Sequence, residues 1–89
     1  MKIVIDESVY LFLKEYKIKL SKQMKTDISH LKLNPRMYPM IADDDNIRHF
    51  ISKGIDFGYM VYDEIVIISD CRFVKLKKKW KVKWNQLMW

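Results

Sequence analysis

The 89-residue chain has a single cysteine, Cys71, which excludes an internal disulfide and any zinc site built on cysteine ligands. Long apolar runs are missing too. The longest, Val9-Tyr10-Leu11-Phe12-Leu13, and the next, such as Ile65-Val66-Ile67-Ile68, are far too short to span a bilayer. No basic n-region, apolar h-region and small-residue cleavage site opens the sequence, so a cytoplasmic protein with no membrane contact is expected. Acidic residues are absent from positions 71–89. What is present is the profile of a folded chain, 49% apolar and 31% charged. That length suits a single domain, 1–89, with one modest core and no large buried cofactor.

The net charge of +6 is unevenly placed. Residues 1–70 hold ten Lys/Arg and all 11 Asp/Glu, for −1, and residues 71–89 hold seven bases and no acid, for +7. These bases are Arg72, Lys75, Lys77, Lys78, Lys79, Lys81 and Lys83, in a segment that also carries Trp80, Trp84 and Trp89. A single-sign block with aromatics among it points to an anionic partner: nucleic acid, a membrane surface or an acidic protein segment.

Along the chain, Lys2-Ile3-Val4-Ile5 reads as a short strand and Asp6 as the N-cap of a helix, with Glu7 in its first turn. Val9, Phe12, Leu13, Tyr16 and Leu20 recur at helical spacing. Met24, Ile28 and Leu31 continue that period in a second segment that starts near Ser21 or Lys22 and ends at Asn34-Pro35. An antiparallel hairpin of two helices and one bent helix both fit. Residues 34–46, with Pro35, Pro39 and Asp43-Asp44-Asp45-Asn46, read as a loop. The acidic triplet lacks the alternating spacing, the glycine and the distal glutamate of a calcium loop, so no metal site is expected.

The period then changes to 2. Ile47 to Ser52 and Phe57 to Tyr62 read as strands flanking a Lys53-Gly54 turn. Ile65 to Ser69 reads as a central strand covered on both faces. From Val74 to Trp84 lysines occupy every odd position from 75 to 83, which predicts a ribbon with a lysine face and an apolar face. Bulges are expected near Phe73–Val74 and Lys77–Lys79. The expected fold is α+β, of order β-α-α-β-β-β with room for a further strand. A curved antiparallel sheet is packed by two N-terminal helices, with the first strand at an edge or pairing centrally.

Several segments carry a resemblance: helices ending in Leu33-Asn34-Pro35, then Asn46-Ile47-Arg48-His49-Phe50, Gly58-Tyr59-Met60-Val61-Tyr62-Asp63, and Ile65 through Phe73. Together they resemble the RelE/ParE superfamily of toxins from bacterial type II toxin–antitoxin systems, over roughly residues 1–76. The Cys71-Arg72-Phe73 step looks most like the YoeB branch. In the ribonuclease branches the hairpin carries an arginine beside the aromatic aligned with Tyr59, where this chain has Gly58 and Met60. YoeB-like members follow the segment matching Cys71-Arg72-Phe73 with a His-Tyr pair, where this chain has Val74-Lys75. The acid and base residues of those branches therefore do not transfer.

Cleaving RNA through its own 2′-hydroxyl requires a proton acceptor, a donor or stabiliser for the leaving oxygen, and cations for the phosphate, and it requires no metal. Arg72, Arg48, His49 and Tyr59 are the candidate catalytic residues, the arginines as phosphate clamps and His49 as base. Tyr59 or Tyr62 would orient a nucleobase by stacking. Arg48 and His49 are neighbours on a strand and face opposite ways unless a bulge intervenes. Lys75, Lys77, Lys79, Lys81 and Lys83 are the candidate nucleic-acid-binding residues. Cys71 reads as a small inert hydrophobe.

The resemblance implies three readings. One is a ribosome-associated mRNA endoribonuclease that inhibits translation and is neutralised by a cognate antitoxin. Another is a ParE-like inhibitor of DNA gyrase without chemistry. The last is a degenerate, non-toxic nucleic-acid-binding relative. A homodimer or a hetero-oligomer with antitoxin is compatible with each, and none calls for a cofactor.

Overall fold

A computed structural model of the chain describes residues 1–74, beginning with strand β1 (Lys2–Ile5). Asp6 leaves the strand in extended conformation and caps helix α1 (Glu7–Glu15), its carboxylate accepting the Ser8 N–H at 3.0 Å. Hydrogen bonds from Ser8 hold the Asp6 carboxyl below the ordinary carboxylate range. Val9 and Leu13 are the buried residues of α1. The helix stops because Lys17 turns into the left-handed region (φ 53°), and the Ile18 N–H returns to the Leu13 carbonyl at 2.8 Å. A new helix, α2 (Lys22–Ser29), begins where Ser21 Oγ accepts the Met24 N–H at 3.2 Å. The amphipathic stretch is thus two capped helices rather than one bent helix. Met24 and Ile28 of α2, and Leu31 in the 3-10 turn His30–Lys32 that follows, are buried.

Residues 34–46 are not a plain loop. Strand β2 (Met40–Ile41) pairs with strand β3 (Asp44–Ser52) through a two-residue turn in which Ala42 and Asp43 both have positive φ, 51° and 58°. The acidic cluster is tied into this turn by its neighbours on both sides. Asp44 Oδ1 accepts the Asn46 N–H at 2.9 Å, and Asp45 is held by Arg36 Nε at 2.8 Å and by Arg48. Those arginines hold the Asp45 carboxyl below its usual range, the Arg36 hydrogen bond being the largest contribution.

Strand β4 (Ile55–Tyr62) follows the Lys53-Gly54 turn, where both residues have positive φ, and β5 (Ile65–Phe73) follows Asp63-Glu64. The sheet order is β1-β5-β4-β3-β2. Strands β2 to β5 are antiparallel, and β1 lies at an edge, parallel to β5 from Lys2↔Ile65 to Ile5↔Ile68. The α+β order is the expected one, and the sheet is mixed because its first strand runs beside its last. Among the described residues no helix is long and apolar enough to cross a membrane.

Strand β4 divides the molecule. Ile55, Phe57, Tyr59 and Val61 are buried under the helices, while Asp56, Gly58 and Met60 point to the other face. Phe50 stacks on Phe57 at 5.1 Å between centroids, and Tyr38 stacks on Phe50 at 5.0 Å. Strand β5 contains a bulge: Tyr59 pairs with Ile68 and Gly58 with Asp70, which leaves Ser69 as the extra residue. Ser8 Oγ donates to the Ser69 carbonyl at 3.0 Å and Ser69 Oγ to the Gly58 carbonyl at 3.4 Å.

The bulge thus sits four residues earlier than the Phe73–Val74 step. Its consequence is a change of parity. Val66 and Ile68 face the core before it, and Cys71 and Phe73 face the helix side after it, so Asp70 and Arg72 emerge on the open face. Among the described residues the helices cover one face of β5, and Ile65 and Ile67 on the other face remain partly accessible. Past its first residue, Val74, the ribbon expected to run to Trp84, with Lys75, Lys77, Lys79, Lys81, Lys83 and the tryptophans, lies outside the described residues.

Candidate functional site

The open face of the sheet carries polar side chains from three adjacent strands. Cross-strand pairing places them in two rows: His49–Gly58–Asp70, and beside it Ile51–Asp56–Arg72. With Ile41 of β2 they line a depression of about 250 Å³, except that Ile51 stands outside it. Asp56 is the hub. One carboxylate oxygen lies 2.9 Å from His49 Nδ1 and the other 3.3 Å from Arg72 Nη2. Its side chain is only 12% exposed, against 34% for His49 and 67% for Arg72. A carboxylate so placed favours the His49 tautomer with the proton on Nδ1, which turns Nε2 outward as an acceptor. It also orients a guanidinium whose remaining donors are open to an anion.

Arg48 and Tyr59, the other two candidates, lie on the opposite face. The Arg48 side chain is 10% exposed and saturated: Nε donates to the Asp45 carbonyl at 3.0 Å, and Nη1 to the carbonyls of Tyr38 and Arg36 at 2.7 and 3.1 Å. Its Nη2 pairs with the Asp45 carboxylate. It fastens the 36–45 segment to the sheet. Tyr59 is fully buried, its hydroxyl donates to the Pro35 carbonyl at 2.7 Å, and burial pushes its phenol up to about 12. Neither side chain reaches the depression. His49 and Arg72 do meet there, through a residue the sequence did not single out.

Asp56 had left a signal. It is an acid inside a strand of otherwise apolar alternation, and the two-residue turn at Lys53-Gly54 places it diagonal to His49 across β3 and β4. Asp70 and Gly58 complete the depression. Cys71 faces away from it, and burial, with a smaller effect of the Asp70 charge, pushes its thiol up to about 11, so it stays protonated at neutral pH.

No family model matches the sequence, and no curated protein matches it. Solved structures do match. The intact Escherichia coli RelBE toxin–antitoxin complex contains a chain that superposes with a TM-score of 0.62 at 18% identity, over 80% of this chain and 97% of that one. An E. coli RelE toxin variant with two arginines changed to alanine, solved with an antitoxin RelB peptide, superposes with a TM-score of 0.62 at 20% identity, over 92% of each chain. With its two helices and five-stranded mixed sheet, the chain has the fold of the RelE toxin.

Proposed function

We propose that this protein is the toxin of a type II toxin–antitoxin pair, a metal-independent endoribonuclease that cleaves mRNA on the ribosome and is silenced by a cognate antitoxin. The observation that carries the reading is the His49–Asp56–Arg72 chain on the open face of a RelE-like fold. His49 Nε2 accepts the proton of an RNA 2′-hydroxyl while Asp56 holds the ring through Nδ1–H. The 2′-oxygen attacks phosphorus, and Arg72 neutralises the charge that builds on the non-bridging oxygens. The 5′-oxygen leaves and takes a proton from solvent, giving a 2′,3′-cyclic phosphate and a 5′-hydroxyl end.

Residues 1–70 have a net charge of −1, so affinity for RNA depends on Arg72 and on Lys75, Lys77, Lys79, Lys81 and Lys83. An antitoxin partner follows from the company in which the RelE neighbours were solved. A ParE-like gyrase inhibitor is the second reading, favoured by Gly58 and Met60 standing where the ribonuclease branches carry an arginine.

Inducible expression, with RNA integrity and plasmid topology read from one culture, separates the two. The ribonuclease reading expects growth arrest, cleaved transcripts and unchanged supercoiling, with arrest lost in Arg72→Ala and His49→Ala. Intact transcripts during arrest overturn it, and relaxed plasmid would then establish gyrase inhibition. Growth without arrest favours a non-toxic nucleic-acid-binding relative.

A further inference from the structure

Gly58 sits between His49 on β3 and Asp70 on β5, directly opposite both. Its backbone does not need a glycine, since φ there is not positive. Space does. A Cβ built on Gly58 would collide with Asp70 Oδ1, so the Asp70 carboxylate leans over the glycine. Strands two apart in a sheet are separated by roughly 9–10 Å. The row therefore holds a slot with His49 on one wall and, on the other, the Asp70 carboxylate folded in over the Gly58 backbone. Asp56 is committed to His49 and Arg72, whereas no hydrogen bond or ion pair among the described residues claims the Asp70 carboxylate.

We infer that the slot between His49 and the Asp70 carboxylate is a nucleobase subsite that takes guanine, with Asp70 as its specificity-determining residue. This rests on the ribonuclease reading of the same face. A carboxylate offers two parallel acceptor oxygens and no donor. Guanine alone among the four RNA bases presents two adjacent donors, N1–H and the 2-amino group, on its pairing edge. Adenine and cytosine set an acceptor nitrogen beside their amino group, and uracil sets its single N–H between two carbonyls. Each of these would point an acceptor at one Asp70 oxygen and leave it unpaired, which is where polar sites discriminate most strongly. A base seated there lies beside His49, with its phosphate within the range of Arg72 in the next row.

The test is titration of the full chain with 3′-GMP, 3′-AMP, 3′-CMP and 3′-UMP, followed by NMR. 3′-GMP is expected to bind roughly ten- to a hundredfold more tightly than the others, the range of one bidentate base contact. In Asp70→Asn that preference should fall below about threefold, the fold being intact by the unchanged amide spectrum of the core. Gly58→Ala, whose methyl displaces the Asp70 carboxylate, should weaken 3′-GMP binding. Equal binding of the four, no binding of any, or a guanine preference that survives Asp70→Asn overturns the subsite. Cleavage of ribosome-bound mRNA by the same preparation is read separately. Guanine binding without cleavage refutes the ribonuclease and keeps the subsite, while cleavage indifferent to guanine does the reverse.

Discussion

The two arginines proposed from sequence offer a direct comparison, because the structure gives them opposite situations. Arg48→Met keeps much of the aliphatic length and removes the guanidinium from a site where it donates to the carbonyls of Asp45, Arg36 and Tyr38. A buried carbonyl stripped of its donor costs about 1–3 kcal/mol. The 36–45 segment is partly open to water, which can serve some of the three, so the low end applies and the sum is about 3 kcal/mol. A domain of this size has roughly 5–10 kcal/mol in hand. Each kcal/mol moves its melting temperature by about 4–8 °C, so Arg48→Met should melt about 12–24 °C lower.

Arg72, two thirds exposed and bound among the described residues by one 3.3 Å contact, behaves differently. Arg72→Met should stay within about 0.5 kcal/mol of the parent. Thermal and urea denaturation followed by circular dichroism measure both, and growth arrest on induction supplies the functional column. The expected pattern is a destabilised Arg48→Met and a stable but inactive Arg72→Met. Arg48→Met melting within about 3 °C of the parent would refute the tethering role that the hydrogen bonds assign to it.

Asp56→Asn should leave the melting temperature nearly unchanged yet abolish RNA cleavage, since its amide would turn a donor toward Arg72 or His49; cleavage at the parental rate would remove Asp56 from the mechanism. Tyr59 governs the alkaline limb. Its folded phenol pKa of about 12 lies above the ordinary 10.0, so the unfolded chain releases that proton first, and its contribution to stability is intact below pH 10 and lost as pH rises toward 12. Tyr59→Phe should flatten that loss in urea titrations and remove the tyrosinate titration near 12 at 295 nm. Leu31→Ala, at a fully buried position, should cost about 2–5 kcal/mol by urea denaturation.

Local order was readable wherever one short window held all the chemistry. Asp6 before Glu7 announced a capped helix, Val9 and Leu13 its buried stripe, and Phe57, Tyr59 and Val61 the inner face of β4. Pairing between distant segments was not readable. Strand β2 and the acidic turn stay folded because Arg36 and Arg48 grip Asp45, and nothing local in Asp43-Asp44-Asp45 says so. The edge position of β1 and its parallel partner depend likewise on a strand more than sixty residues away.

Strand parity alone already set Arg48 and His49 on opposite faces, because consecutive side chains of an extended chain must diverge. Which face became core was decided by the helices, whose apolar stripes cover Tyr59 and Phe57 and leave His49 in the open. The gathering of His49, Asp56, Asp70 and Arg72 was decided by the single extra residue at Ser69, which reverses the alternation of β5. A bulge of that kind is fixed by the hydrogen-bond register of three neighbouring strands and by the α1 serine that holds it, and register is a property of the assembled sheet.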